Sequence, residues 1–251
     1  MISITRKKFG VPINDVFFAG DPHDCAGQGA IQFFVQSRSH HPNFTPFKTQ
    51  VIDLTAPTEE LSQSVSKSTR YKINRAEREG LTPRLTTTPS VSEASLYADF
   101  YDTFARQKGL PPCNRAKLLS LATAQSLLLS SISDLDGSLL AAHAHVKDDA
   151  VGRVRLLHSA SHFRGERDSG ERNKIGRANR LLHWFEILSL KNAGYRLYDL
   201  GGIPKDDSDP EKNAIARFKL EFGGAPLVEY NGFVPTTRLG KLLIPFTRRR
   251  R

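Results

Sequence analysis

"SLLLSSISD" (126–134), "SLLAAHAHVK" (138–147) and "VGRVRLLHSAS" (151–161) follow one another with only "DLDG" and "DDAVG" between them. Their apolar residues alternate or run together over seven to ten positions, the period of strands, and the Asp- and Gly-rich connectors are turn chemistry. The three stretches predict an antiparallel meander. Within it His143 and His145 stand two apart and so share a face. A His-x-His pair on a strand can ligate a metal, with His158 as the only nearby third candidate. The other reading is packed or hydrogen-bonded histidines, and the expectation is no metal site.

After the meander the period changes. "HFRGERDSGERNKIGRANRLLHWFEILSLKNAGY" (162–195) begins as a polar, glycine-containing loop. It then becomes a helix with Ala178, Leu181, Leu182, Phe185 and Leu188 on one stripe, closed by Gly194. A strand "YRLYDL" (195–200), a loop, a helix "EKNAIARFKLEF" (211–222) and a strand "PLVEYNGFV" (226–234) complete the pattern. Before the meander, "SVSEASLYADFYDTFARQKG" (90–109) carries Tyr97, Phe100, Tyr101 and Phe104 at helical spacing, a core stripe. "NRAKLLSLATA" (114–124) is a shorter helix capped by Asn114. "APTEELSQSVSKSTRYKINRAEREGL" (56–81) reads as one helix from Pro57 and Thr58 to Gly80. Its Lys67, Tyr71, Arg75 and Arg78 share a face, either a phosphate and base contact or a solvated surface. Residues 1–50 hold short apolar runs, "VFFAG" and "IQFFV", that suggest short strands, and "VIDL" (51–54) suggests another.

The sum is an α/β chain with a mixed, mostly antiparallel sheet flanked by helices. It divides into a strand-rich segment 1–50, a main domain 51–235 and a basic tail 236–251. A meander followed by a loop entering a helix is the order of the GNAT acyltransferase core. In that core the loop and helix N-terminus cradle a cofactor pyrophosphate. "NKIGRA" (173–178) approximates the loop pattern, with Asn173 where Arg or Gln is usual. It keeps an acyl-CoA-dependent N-acyltransferase open as the alternative.

Composition narrows the function classes. The 251 residues are 39% hydrophobic, enough for a core, and no run of about 18 apolar residues occurs. The N-terminus "MISITRKKFG" lacks the apolar segment of a signal peptide. Cys25 and Cys113 form neither a disulfide framework nor a zinc-ligand spacing, so a reducing cytoplasm is the expected location. Thirty-six Lys and Arg against 26 Asp and Glu give a net charge of +10. That excess suits a polyanionic partner, RNA, DNA or an anionic membrane, or serves solubility alone. The terminal Arg248–Arg251 run, next to "LLIPF", admits nonspecific RNA affinity, anionic lipid contact or a solubility tail.

The stretch "YDLGGIPKDDSDPEKNAIARFKLEFGGAPLVEYNG" (198–232) closely resembles the closing motif of the FemABX proteins. Those proteins show an aromatic-rich strand, Gly-Ile, an acidic Pro-containing loop, Phe-Lys-x-x-Phe-Gly and a Glu-Tyr strand. "VIDLTAPTEELSQSVSKSTRYKINRAEREGL" (51–81) and "LYADFYDTFARQKGLPP" (96–112) are similar to earlier segments of the same family. The resemblance covers about residues 51–232. It implies a GNAT-like fold and transfer of an amino acid from aminoacyl-tRNA to an amine, in a peptide or a peptidoglycan precursor. Aminoacyl-tRNA would serve as co-substrate, with no cofactor. The family's first lobe is longer than residues 1–50, and its Asp-Pro segment near the acceptor amine is not found here.

The chemistry so implied is aminolysis of an activated ester, which needs a neutral amine and a preorganised positive partner for the oxyanion. No Gly-x-Ser-x-Gly elbow occurs and none is required. By resemblance Lys219 is the lysine at the reacting carbonyl. Its periodicity alone reads as a surface lysine on an amphipathic helix. Phe218 and Phe222, four apart, pack the helix or stack on a terminal base. Arg70, Lys72 and Arg75 are the candidates for RNA phosphate, with Arg155 a further one.

Overall fold

The structure is a computed structural model that describes residues 1–8, 10–22, 25, 29–162, 168–204 and 210–248, without the side chains of 8, 211 and 245–248. These residues form ten strands and seven helices. The first stretch of chain gives β1 (Ile2–Lys8), β2 (Val11–Phe17), β3 (Ile31–Ser37) and β4 (Phe44–Asp53). Then come α1 (Thr58–Ser64), α2 (Lys67–Arg78), β5 (Thr82–Thr86), α3 (Val91–Lys108) and α4 (Arg115–Thr123). The remainder is β6 (Leu127–Ser133), β7 (Leu139–Asp148), β8 (Arg153–Ser161), α5 (Ser169–Asn192), β9 (Leu197–Gly202), α6 (Pro210–Leu220), β10 (Ala225–Pro235) and α7 (Arg238–Arg248). The chain makes two compact units, Gln50–Pro226 and the pair Met1–Thr49 with Leu227–Arg251. β4 and β10 each carry residues of both.

In the unit built from the two chain ends, the strands run in the order β1-β2-β3-β10. β1 and β2 pair antiparallel, β2 and β3 parallel, and β10 returns antiparallel to β3. Val16, Ala19, Phe34 and Phe44 make its core, and the guanidinium of Arg6 donates to buried Asp15 at 2.7 and 3.0 Å. The basic tail is helical as α7. Gly240 on that helix is buried against the carbonyl of Ala30, while Leu239 and Leu242 are exposed beside Arg238 and Lys241. Arg248 ends the helix without a described side chain, and residues 249–251 lie outside the described residues.

The larger unit has the order β4-β9-β8-β7-β6-β5. The predicted meander is β6-β7-β8, antiparallel throughout, with a bulge where Ala144 pairs with His158 but His145 with Leu156. α5 carries the chain from β8 back to a parallel β9. That ladder covers only Arg153–Arg155 against Leu197–Asp199, although β8 continues to Ser161 and β9 to Gly202. Beyond it the two strand ends line a pocket. α5 packs on β5 to β8 and on α2, and the core there is Leu128, Ile132, Ala141, Val154, Leu181, Leu182, Tyr198 and Phe222 with their neighbours. Among the described residues no helix is long and apolar enough to cross a membrane.

Three readings of local structure change. The predicted helix over 57–80 is two helices, because Val65 is extended and Ser66 starts α2 as an N-cap, its hydroxyl accepting from Thr69 N at 3.2 Å. Arg70 from α2 then donates to the carbonyls of Ser62, Gln63 and Val65 at 2.7–3.0 Å, closing the end of α1. "NKIGRA" is not a loop: Asn173–Ala178 lie inside α5, whose N-cap is Asp168. The carboxylate of Asp168 accepts from Glu171 N at 2.9 Å, and Glu171 adds negative charge to the first turn. A polar edge strand, β5, runs antiparallel to β6 where no strand pattern stands out in the sequence.

Candidate active site

The end of β9 builds the centre of the site. Asp199 is fully buried; one carboxylate oxygen accepts from Arg153 Nη2 at 2.6 Å and the other from Gly201 N at 2.7 Å. Gly201 has φ +80, a left-handed turn that other residues adopt only at a cost. Its Cα faces both the Leu156 carbonyl and Lys219, whose Nζ lies 3.6 Å from where a Cβ would stand. The turn delivers the Gly202 carbonyl to Lys219 Nζ, which donates to it at 2.7 Å. An ammonium has three N–H donors, so two remain for a ligand.

The end of α6 is fixed on several sides. Phe222 is buried and Phe218 half-buried; their rings lie 5.4 Å apart edge to face and flank the His183 ring at 5.2 and 5.5 Å. The guanidinium of Arg180 stands 4.9 Å over Phe218 and donates to Glu221 at 2.8 and 3.1 Å. Glu221 also accepts from Thr69 Oγ1 at 2.6 Å, and its carbonyl accepts from Ser66 N at 2.8 Å, which ties α6 to the start of α2. Gly224 then lets the chain pass within contact of the Val51 carbonyl, where any Cβ would lie 2.2 Å from the oxygen.

Lys219 lines a pocket of about 820 Å³ between β8, β9, α3, α5 and α6. Among the described residues five cationic side chains line it, Lys108, Arg155, Arg180, Arg217 and Lys219, against one carboxylate, Glu221, already paired. Tyr101, Phe104, Leu110 and Ile175 form an apolar part of the wall. Burial, then the positive charge of Arg155, lower the Lys219 amine to about 8, and Asp199 opposes both. His158, also on the wall, stacks at 4.5 Å on Tyr101. Burial, then Arg155 and Lys117, bring it down to about 4, so it is neutral at pH 7.

Of the residues singled out in the sequence, the structure brings Lys219, Phe218 and Arg155 together in this pocket. Arg70, Lys72 and Arg75 are not on its wall. Arg70 caps α1, and Arg75 is exposed and pairs with Glu79 at 3.1 Å. Lys72 is half-buried within the field of Glu221. Tyr71 is 61% exposed, so the face it shares with Lys67, Arg75 and Arg78 is solvated. The acidic loop, residues 205–209, and the loop at 163–167 lie outside the described residues.

Beneath the pocket lies a buried group the sequence reading missed. Glu186 of α5 accepts from the Ser130 hydroxyl and from Tyr198 at 2.5 Å, and His143 Nδ1 lies 2.7 Å from it. His183 Nδ1 lies 3.1 Å and His145 Nε2 3.5 Å from the same carboxylate. Burial works to raise the Glu186 carboxyl, but His143 and His145 outweigh it and hold it well below the usual carboxylate range. Burial, then the neighbouring His143, lower His183 to about 4. One signal was present: Asn179, His183 and Glu186 recur at steps of four and three, a polar stripe beside the apolar one on the buried face of α5.

No protein-family model and no curated protein matches the chain. Solved structures do. FemX superposes with a TM-score of 0.58 at 12% identity over 84% of this chain and 64% of its own, so the chain spans less than two thirds of it. The C-terminal domain of a putative lysylphosphatidylglycerol synthetase from Agrobacterium fabrum gives 0.56 at 16% identity, covering 94% and 81%. L-PGS from Bacillus licheniformis gives 0.53 at 15% identity, covering 87% and 72%. The fold is GNAT-like, a mixed, mostly antiparallel sheet flanked by helices, as expected.

Proposed function

We propose that the protein is an aminoacyltransferase that moves an amino acid from the ester of an aminoacyl-tRNA to an amine, forming an amide. The observation that carries this reading is Lys219 Nζ, anchored on the Gly202 carbonyl in a pocket whose described wall carries five cations and one paired carboxylate. The acceptor nitrogen attacks the ester carbonyl, forming the C–N bond and a tetrahedral oxyanion. Collapse breaks the C–O bond; the ribose oxygen leaves and takes up a proton, and the nitrogen loses one. Lys219, mostly cationic at pH 7 with its pKa about 8, faces the oxyanion with the donors Gly202 does not use. Arg155, Arg180 and Arg217 suit phosphates of the RNA 3′ end. The acceptor would be a peptide or cell-wall-precursor amine.

A second reading, an acyl-CoA-dependent N-acyltransferase, shares the pocket and the fold. It is disfavoured at the start of α5, where Asp168 and Glu171 occupy the end that would otherwise hold a pyrophosphate. Digestion of the donor with RNase separates the two: transfer from a charged tRNA pool would stop, whereas transfer from acyl-CoA would continue. The basic, partly apolar α7 suits peripheral contact with an anionic membrane, because Leu239 and Leu242 are exposed beside Arg238 and Lys241. Co-sedimentation with phosphatidylglycerol vesicles, absent with phosphatidylcholine and lost in a Leu239→Glu/Leu242→Glu variant, would bear this out.

A further inference from the structure

The buried group under the pocket is more than packing. His143 and His145 project from one face of β7, and His183 and Glu186 stand three apart on α5, all at most 1% exposed. Glutamate is seldom so completely buried unless it is paired or bound to a metal.

The convergence of the ligand atoms points the same way. His143 Nδ1 lies 2.7 Å from a Glu186 oxygen, and its Nε2 lies 2.8 Å from the side-chain amide of Asn179, which holds the ring in place whichever way the amide is turned. His145 Nε2 converges on the same oxygen at 3.5 Å, and its own Nδ1 has no hydrogen-bond partner. The separations of 2.7 and 3.5 Å bracket the about 3.3 Å between ligands held 2.0–2.1 Å from a tetrahedral metal. A ring that ligates through one nitrogen while its other N–H donates to a carbonyl oxygen is also the usual arrangement around such ions.

We propose that His143, His145 and Glu186 form a divalent transition-metal site of the zinc class, with His183 or the Tyr198 hydroxyl within reach as a further ligand. Two imidazoles and a carboxylate select zinc, cobalt or nickel over calcium and magnesium, which prefer all-oxygen sites. The ion would clamp β7 to α5 beneath the pocket. Asn179 and His183 line that pocket, so the clamp would hold part of its floor.

The test uses the full chain, stripped by a chelator and titrated with Co²⁺, reading the visible absorption of the bound ion. The expected result is saturation at one equivalent with the intense bands of a tetrahedral site, displacement by Zn²⁺, and a thermal midpoint that rises with Zn²⁺ and falls back with chelator. His40 and His41 are the adventitious alternative, so a His40→Ala/His41→Ala variant should behave as the wild type does. A His145→Gln variant should not saturate. Should that variant fail to fold, the wild type and the surface variant decide by themselves. No visible band, no midpoint response to Zn²⁺, or a response lost in the surface variant would overturn the metal and leave a hydrogen-bonded cluster alone.

Discussion

Lys219 has an amine that titrates near 8 rather than at the ordinary 10.5, and this gives its role a pH signature. At pH 7 about nine tenths of the molecules carry the cation and at pH 9 about one tenth. If the cation faces the oxyanion, the chemical step should fall about tenfold across that interval. The assay is single-turnover transfer from aminoacyl-tRNA to an acceptor whose amine is already neutral at pH 7, with spontaneous ester hydrolysis subtracted. Lys219→Met should lower the rate about 10²- to 10³-fold, the usual cost of one oxyanion donor, and flatten the profile. Lys219→Arg keeps its charge throughout and should be slow but flat. Arg155→Met removes a positive neighbour that lowers Lys219, so the inflection should move upward from 8. A wild-type rate that rises through pH 8 under these conditions would make Lys219 a base. A Met variant within about threefold of wild type would remove it from the reaction.

Three other substitutions probe the frame. Gly201→Ala forces a side chain onto φ +80, which should cost about 1–2 kcal/mol in thermal unfolding and slow transfer by moving the carbonyl that anchors Lys219. Glu186→Ala leaves the Ser130 and Tyr198 hydroxyls and the histidines buried without their shared acceptor; a loss of about 3–5 kcal/mol by denaturant titration is expected, and a loss below about 1 would contradict the network. Arg70→Ala should destabilise by about 1 kcal/mol through the open end of α1 and leave the salt dependence of tRNA binding unchanged, whereas a shallower salt slope would return Arg70 to the RNA contacts.

β6, α3 and α4 were legible because each buries one face, so its period appears in the sequence, and β7 because it is an unbroken buried run between turn residues. The break at Val65–Ser66 was hidden: the apolar stripe runs through it, and only the Ser66 cap and the reach of Arg70 eight residues back to Ser62 make it. β5 is an edge strand of five mostly polar residues, too short to alternate visibly. Lys219 entered as a candidate through the resemblance of its flanking motif, since its periodicity alone reads as a surface lysine. Lys108, Arg180 and Arg217 could not be found, since they converge on the pocket from three helices. The partner of His143 and His145 is Glu186, more than forty residues on and placed on the buried face of α5. "NKIGRA" misled because a loop pattern of six residues carries no information on where the helix begins. Asp168 decides that, five residues earlier.

The most direct measurement follows a labelled amino acid from a mixed pool of charged tRNAs into an acceptor amine, with intact donor, with donor treated with RNase, and with acyl-CoA in its place. The account requires an amide product that appears only with intact aminoacyl-tRNA and falls about 10²-fold or more with Lys219→Met. Transfer from acyl-CoA that ignores RNase, or product formation unchanged by loss of Lys219, would contradict it.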